Sequence, residues 1–159
     1  MATIVLTLDG NRAVFPEKNV ALMAALEERV GILGQQLYDT VMLKLSGGVL
    51  AMQSGALAGS VVLSAIESTG MAFESFVEIP EGSPQHLIGH VQEYGGEKWY
   101  LILPVNAQAL RFVVGGSEVF ARRVNHPPLP ERSFLRSSLD EMTAAVYEGL
   151  QETIDEVLA

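Results

Sequence analysis

The chain has 159 residues, 48% of them hydrophobic, and no cysteine. That is enough apolar material for one core, and it excludes disulfides, thiolate metal sites and cysteine nucleophiles. A formal charge of −9 argues against general nucleic-acid binding, which requires clustered Lys and Arg. Only 18% of residues are charged, against roughly 25% in ordinary soluble domains. Many surface positions must then carry small or aliphatic residues, a composition suited to burial against neighbours.

Residues 2–8 alternate as a strand does, and Asp9-Gly10-Asn11 is a turn. The same stretch lacks a basic region and meets an acid too early for a signal peptide, so the expected compartment is a cytoplasm. A second short strand is expected at 12–15, and Pro16 suits the first turn of a helix. Leu22, Leu26, Val30, Leu33, Leu37, Val41 and Leu45 then recur at steps of four and three, which predicts one amphipathic helix over 17–45. Gly31 and Gly34 weaken that helix, and close approach of another backbone would account for them. Ser46-Gly47-Gly48 ends it.

Residues 45–66 hold no charge and are long enough to cross a bilayer. Four glycines, several serines and short apolar runs point instead to a turn followed by a buried strand. No membrane partner is expected. Ser54 could cap a helical turn, and strands are predicted at 61–66 and 73–79, joined near Thr69-Gly70. Residues 80–84 form a loop, and 86–94 read either as a short helix or as an irregular segment. A strand at 99–103 precedes a hairpin of 110–114 and 118–124 about Gly115-Gly116. A proline-rich connector carries Pro127, Pro128 and Pro130. Ser138 and Glu141 have capping-box spacing for a last helix, with its stripe at Leu139, Met142, Val146, Leu150, Ile154 and Val157. The expected fold is therefore one α+β domain over 1–159. An antiparallel sheet of about four to six strands packs on a long helix from the N-terminal half and a C-terminal helix.

Charge is unevenly spread. Residues 99–136 carry net +3 and residues 137–159 carry net −6. Two differently solvated faces would explain this, and so would acidic and basic surfaces meeting head to tail between copies. Asp155 and Glu156 lie where a helix dipole disfavours anions, to be offset by a basic partner or by solvent.

The search for reactive groups yields little. His86 and His90 stand four apart with Glu93 three further on, which is metal-ligand spacing on a helix. The adjacent Glu of the zinc-peptidase pattern is missing, and exposed or core histidines are commoner. No Gly-x-Ser-x-Gly elbow surrounds Ser54 or Ser60, and Gly55 to Ser60 has no lysine to make a phosphate loop. His126 lies in the connector. No catalytic residue, metal site or cofactor is assigned, and the chain is not expected to be an enzyme. The alternative from another class is a small metal-dependent hydrolase using His86, His90 and Glu93, for which a polar cleft gathering the three would speak. A soluble binding domain is the third.

Four stretches, in order, resemble one family. Ser54-Gly55-Ala56-Leu57-Ala58-Gly59-Ser60 follows the long helix, and Glu93-Tyr94-Gly95-Gly96 sits in mid-chain. Leu110-Arg111-Phe112, a glycine turn and Val119-Phe120-Ala121-Arg122-Arg123-Val124-Asn125-His126-Pro127 form a final hairpin. Arg132-Ser133-Phe134-Leu135-Arg136-Ser137-Ser138-Leu139 opens the last helix. Together they are similar to the tail-completion (head–tail joining, neck) proteins of tailed bacteriophages, from about Val20 to the C-terminus. Ser133 stands where that family usually has Pro, and Ser138 where it has Ala. The N-terminal strand and residues 71–85 have no counterpart.

The resemblance implies a structural protein of a phage or prophage, acting in morphogenesis. It would be assembled in the bacterial host cytoplasm and located in the virion at tail or neck. Its partners would be copies of itself, in a ring, and neighbouring head, neck or tail proteins, with no nucleic-acid recognition. The expected interface residues are Arg122, Arg123, His126, Pro127, Arg132, Phe134, Leu135 and Arg136. Phe134 could equally anchor the last helix in its own core.

Overall fold

A computed structural model describes residues 1–7, 16–50, 55–69, 72–96 and 98–159, with 16 and 17 described by backbone alone. The expected turn at 9–11, the strand at 12–15 and the cap at Ser54 lie outside the described residues. The fold is α+β, as the periodicities imply.

Strand β1 (Ala2–Thr7) leads to helix α1 (Pro16–Leu43), which closes on a π-turn (Lys44–Gly48). Gly47 supplies the positive φ of that turn, 129°. A 3-10 turn (Ala58–Ser60) precedes β2 (Val62–Leu63), β3 (Glu67–Thr69) and β4 (Ala72–Glu78). Helix α2 (His86–Tyr94) resolves the ambiguous stretch as helical. Then come β5 (Tyr100–Ile102), β6 (Leu110–Val114), β7 (Ser117–Ala121), β8 (Val124–His126) and helix α3 (Arg136–Leu158). No described helix is long and apolar enough to cross a membrane. The described residues of the uncharged stretch, 45–50 and 55–66, fall into turns and a short strand instead.

Strand β4 is the centre of a four-stranded antiparallel sheet, with β1 on one side and both β2 and β3 on the other. Of the strand expected at 61–66 only Val62–Leu63 is strand, and a further strand, β3, follows at Glu67–Thr69. Leu63 faces Val77 while Glu67 faces Glu74, so one extra residue is accommodated between them. Such a bulge bends the strand and redirects its side chains. Ile66, within it, reaches Gly31 of α1, where a Cβ would stand 2.8 Å from its Cδ1.

Phe73, Ser75 and Val77 of β4 and Ala2 and Ile4 of β1 form the buried face of the sheet. Helix α1 covers that face with Leu26, Val30, Leu33, Leu37 and Val41, all buried as its spacing requires. A Cβ on Gly34 would lie 2.2 Å from the Ser75 Oγ. Both glycines of α1 therefore admit side chains from the sheet rather than another backbone.

Helix α3 runs antiparallel along α1. Lys44 Nζ reaches Ser137 Oγ at 2.7 Å and Glu141 Oε1 at 2.9 Å, while Lys18 Nζ donates to the Leu158 carbonyl at 2.7 Å. That last contact places a cation at the carbonyl end of α3, so part of the dipole compensation there comes from the chain itself. Between these ends, Arg29 lies flat over Gly149, and its Nη2 meets Glu152 Oε2 at 3.2 Å. A side chain at 149 would displace the guanidinium from this position.

The remaining strands leave this body. β5 pairs with β8, and β6 pairs with β7 across Gly115-Gly116, whose φ values of 58° and 84° make the tight turn. The predicted strand 118–124 is thus divided between two ribbons, β7 in one and β8 in the other.

Candidate functional site

Helix α3 does not start where its sequence suggests. It begins at Arg136, so Ser138 is already inside the first turn, and its hydroxyl donates back to the Phe134 carbonyl. Glu141 is drawn away to Lys44. The capping group is Glu93, more than 40 positions earlier in the chain. Its Oε2 accepts the N–H of Phe134 at 2.8 Å and of Leu135 at 2.9 Å. Its Oε1 accepts the Arg136 N–H at 2.9 Å, the Ser133 hydroxyl at 2.8 Å and the Arg136 Nε at 3.2 Å. A helix N-terminus leaves its first N–H groups unpaired and carries partial positive charge, so a carboxylate satisfies both demands at once.

Neighbouring residues lock this joint. The Arg132 N–H donates to the Gln92 carbonyl at 2.8 Å, and the Gly96 N–H donates to the Leu129 carbonyl at 2.9 Å. Gly95 turns the chain at φ 74°, where a Cβ would meet Leu129 and Glu131 backbone atoms at 2.9 Å. The Arg136 guanidinium lies 4.7 Å from the Tyr94 ring centroid and also pairs with Glu131. The two stretches 93–96 and 132–139, far apart in the chain, are therefore one packed unit in space.

Burial pushes the Glu93 carboxyl up, but the N–H groups of Leu135, Arg136 and Phe134 and the Ser133 hydroxyl outweigh it. The carboxyl is held below its ordinary value of 4.5. A carboxyl with a lowered folded pKa gives stability that is fully present above the unfolded value and disappears as pH falls through the folded one. Acid unfolding of the wild type should therefore show a loss of stability below pH 4.5 that Glu93→Gln lacks, measured by urea unfolding across that window.

A concavity of about 180 Å³ does bring His86, His90 and Glu93 to one side of α2. Their roles differ from a ligand set. His86 Nδ1 lies 2.9 Å from the Ile79 carbonyl, and His90 packs its ring on Tyr94 at 4.8 Å. Both Glu93 oxygens are already engaged by five donors. No group of three His, Cys, Asp or Glu among the described residues is placed to hold a metal ion. An equimolar zinc titration is expected to leave the thermal midpoint unmoved.

The expected interface residues separate into two groups. Phe134 is 0% exposed and Leu135 is buried beside it, so both belong to the chain's own core and present nothing to a partner. Arg136 is committed to Glu93 and Glu131. Arg122, Arg123, Pro127 and Arg132 are exposed, and His126 is half-buried with its ring stacked on Tyr100 at 4.8 Å.

The ribbons carry a surface that single residues of the sequence do not advertise. Trp99 is 62% exposed, Phe120 64% and Val105 91%, with Leu101, Leu103, Val113 and Val114 also in solvent. The β6–β7 ribbon packs chiefly on itself. An isolated two-stranded ribbon is only marginally stable in water, and exposed aromatic and aliphatic side chains on it gain from a covering partner. Alternation shows which residues share a strand face, but not that no second layer covers either face.

Comparison with family models, with curated proteins and with solved structures gives no match to this chain.

Proposed function

We propose that this chain is a structural joining subunit of a tailed-phage particle, a tail-completion or neck component. It acts in the virion, after assembly in the host cytoplasm, and it performs no catalysis. The observation that carries this reading is the division of the molecule into a closed body and unfinished ribbons. The body buries its own core between α1, α3 and the four-stranded sheet. The ribbons leave aromatic and aliphatic side chains in solvent, where burial would return about 25 cal/mol for each Å² of apolar surface. A protein with a rigid body and apolar edges is suited to bridging neighbours.

The resemblance at 54–60, 93–96, 110–127 and 132–139 supplies the kind of assembly, and the Glu93 joint supports it by tying two of those stretches together. Ser133, where the family usually has Pro, gives Glu93 an additional hydroxyl donor.

Deleting the gene from the element that carries it tests the proposal. Electron microscopy of the lysate should show separate heads and tails, rejoined when the chain is supplied in trans. Intact infectious particles without it would sink the reading. Neighbouring genes separate it from a non-viral binding domain, because portal, capsid and tail-tube genes should flank it.

A further inference from the structure

Among the charges outside the chain's internal ion pairs, those near the corner after β7 and those on α3 are opposite in sign. Among the described residues, Arg111 is paired with Glu118 and Arg136 with Glu131 and Glu93. Arg122, Arg123 and Arg132 are exposed and make no ion pair with a described residue. On α3, Glu141 and Glu152 are held by Lys44 and Arg29 of α1. Asp140, Glu148, Asp155 and Glu156 make no ion pair with a described residue. Among the described residues, no ion pair within one copy joins these two groups.

We infer that the corner after β7, with Phe120, Arg122 and Arg123, docks on the outer face of α3 of a second copy, at Tyr147, Glu148 and Asp155. This rests on the joining function proposed above and names its self-contact. Each side pairs an exposed aromatic with unpaired charge: Phe120 beside the arginines, and Tyr147, 73% exposed, beside the acids. Glu148 and Asp155 are seven residues apart, so they share one helix face about 10 Å apart. Two adjacent arginines can span that distance. Because the two patches are different surfaces of the same chain, the contact is head to tail, and repetition closes a ring or extends a chain. A chain of net charge −9 repels its own copies, which makes a locally opposite-signed contact the route to association.

Charge exchange tests this by sedimentation velocity on the full chain over a range of concentrations. Arg122→Glu with Arg123→Glu moves the net charge from −9 to −13, and Glu148→Lys with Asp155→Lys moves it to −5. General repulsion alone would weaken association in the first variant and strengthen it in the second. The docking contact predicts that both weaken it, by about tenfold or more. It further predicts that mixing the two variants, or combining all four substitutions, restores it. These sites are exposed, so each variant should keep the wild-type thermal midpoint closely. Association unaffected by either pair, or strengthened by the lysine pair, overturns the contact and leaves the joining function standing. A wild type that stays monomeric at every concentration also overturns it, since the ribbon would then serve another protein. Failure of the joining function itself would appear separately, as normal particles from the gene deletion.

Discussion

Replacing Glu93 with Ala is expected to destabilise the fold by about 3–5 kcal/mol, the range for removing one partner of a buried charged network. The reason is the number of groups left without a partner. Three backbone N–H groups at the start of α3 and the Ser133 hydroxyl lose their acceptor, and α2 loses its main polar link to α3. For a chain of this size, the loss corresponds to a fall in thermal midpoint on the order of 10 °C. Glu93→Gln should fall between the two, at about 2–3 kcal/mol. It keeps one acceptor oxygen and turns an amide donor toward N–H groups. Removing the exposed acid Glu131, whose carboxylate pairs with Arg136, should change stability by less than about 1 kcal/mol. Equal losses from Glu93→Ala and Glu131→Ala would remove Glu93 from its place as the joint.

Phe134→Ala should cost about 3–5 kcal/mol, because the ring is wholly enclosed and its removal leaves a cavity. Chemical denaturation at neutral pH measures it. The informative comparison is Phe120→Ala, on the exposed ribbon. That change should leave the monomer's stability within about 0.5 kcal/mol and weaken association. The opposite pattern, a stable Phe134→Ala monomer that no longer assembles, would return Phe134 to an interface.

Much of the body is legible in the sequence, because helix stripes report burial directly. The spacing from Leu22 to Leu45 and from Leu139 to Val157 identifies the faces of α1 and α3 that are withdrawn from solvent. The glycine pair at 115–116 identifies its hairpin turn for an equally local reason. What the sequence hides is set by residues far apart in the chain. A capping box at Ser138 and Glu141 satisfies every local rule, yet Glu93 occupies the role because α2 brings it there. Spacing could suggest His86, His90 and Glu93 as ligands, but it carries no information about the donors that already hold Glu93. The shortening of 61–66 to a two-residue strand before a bulge, and the division of 118–124 between two ribbons, are likewise matters of cross-strand register, fixed by partners elsewhere. Phe134 and Phe120 are both phenylalanines beside arginines in the sequence, and only packing separates the core residue from the exposed one.

Amide hydrogen exchange of residues 110–121, in the free chain and in the assembled state, tests most directly whether the ribbons are contact surfaces. The β6–β7 amides should exchange quickly in the free chain, close to the rate of an open hairpin, and become strongly protected on assembly, while α1 changes little. Ribbon amides already as protected as α1 in the free chain, or unchanged on assembly, would contradict the account.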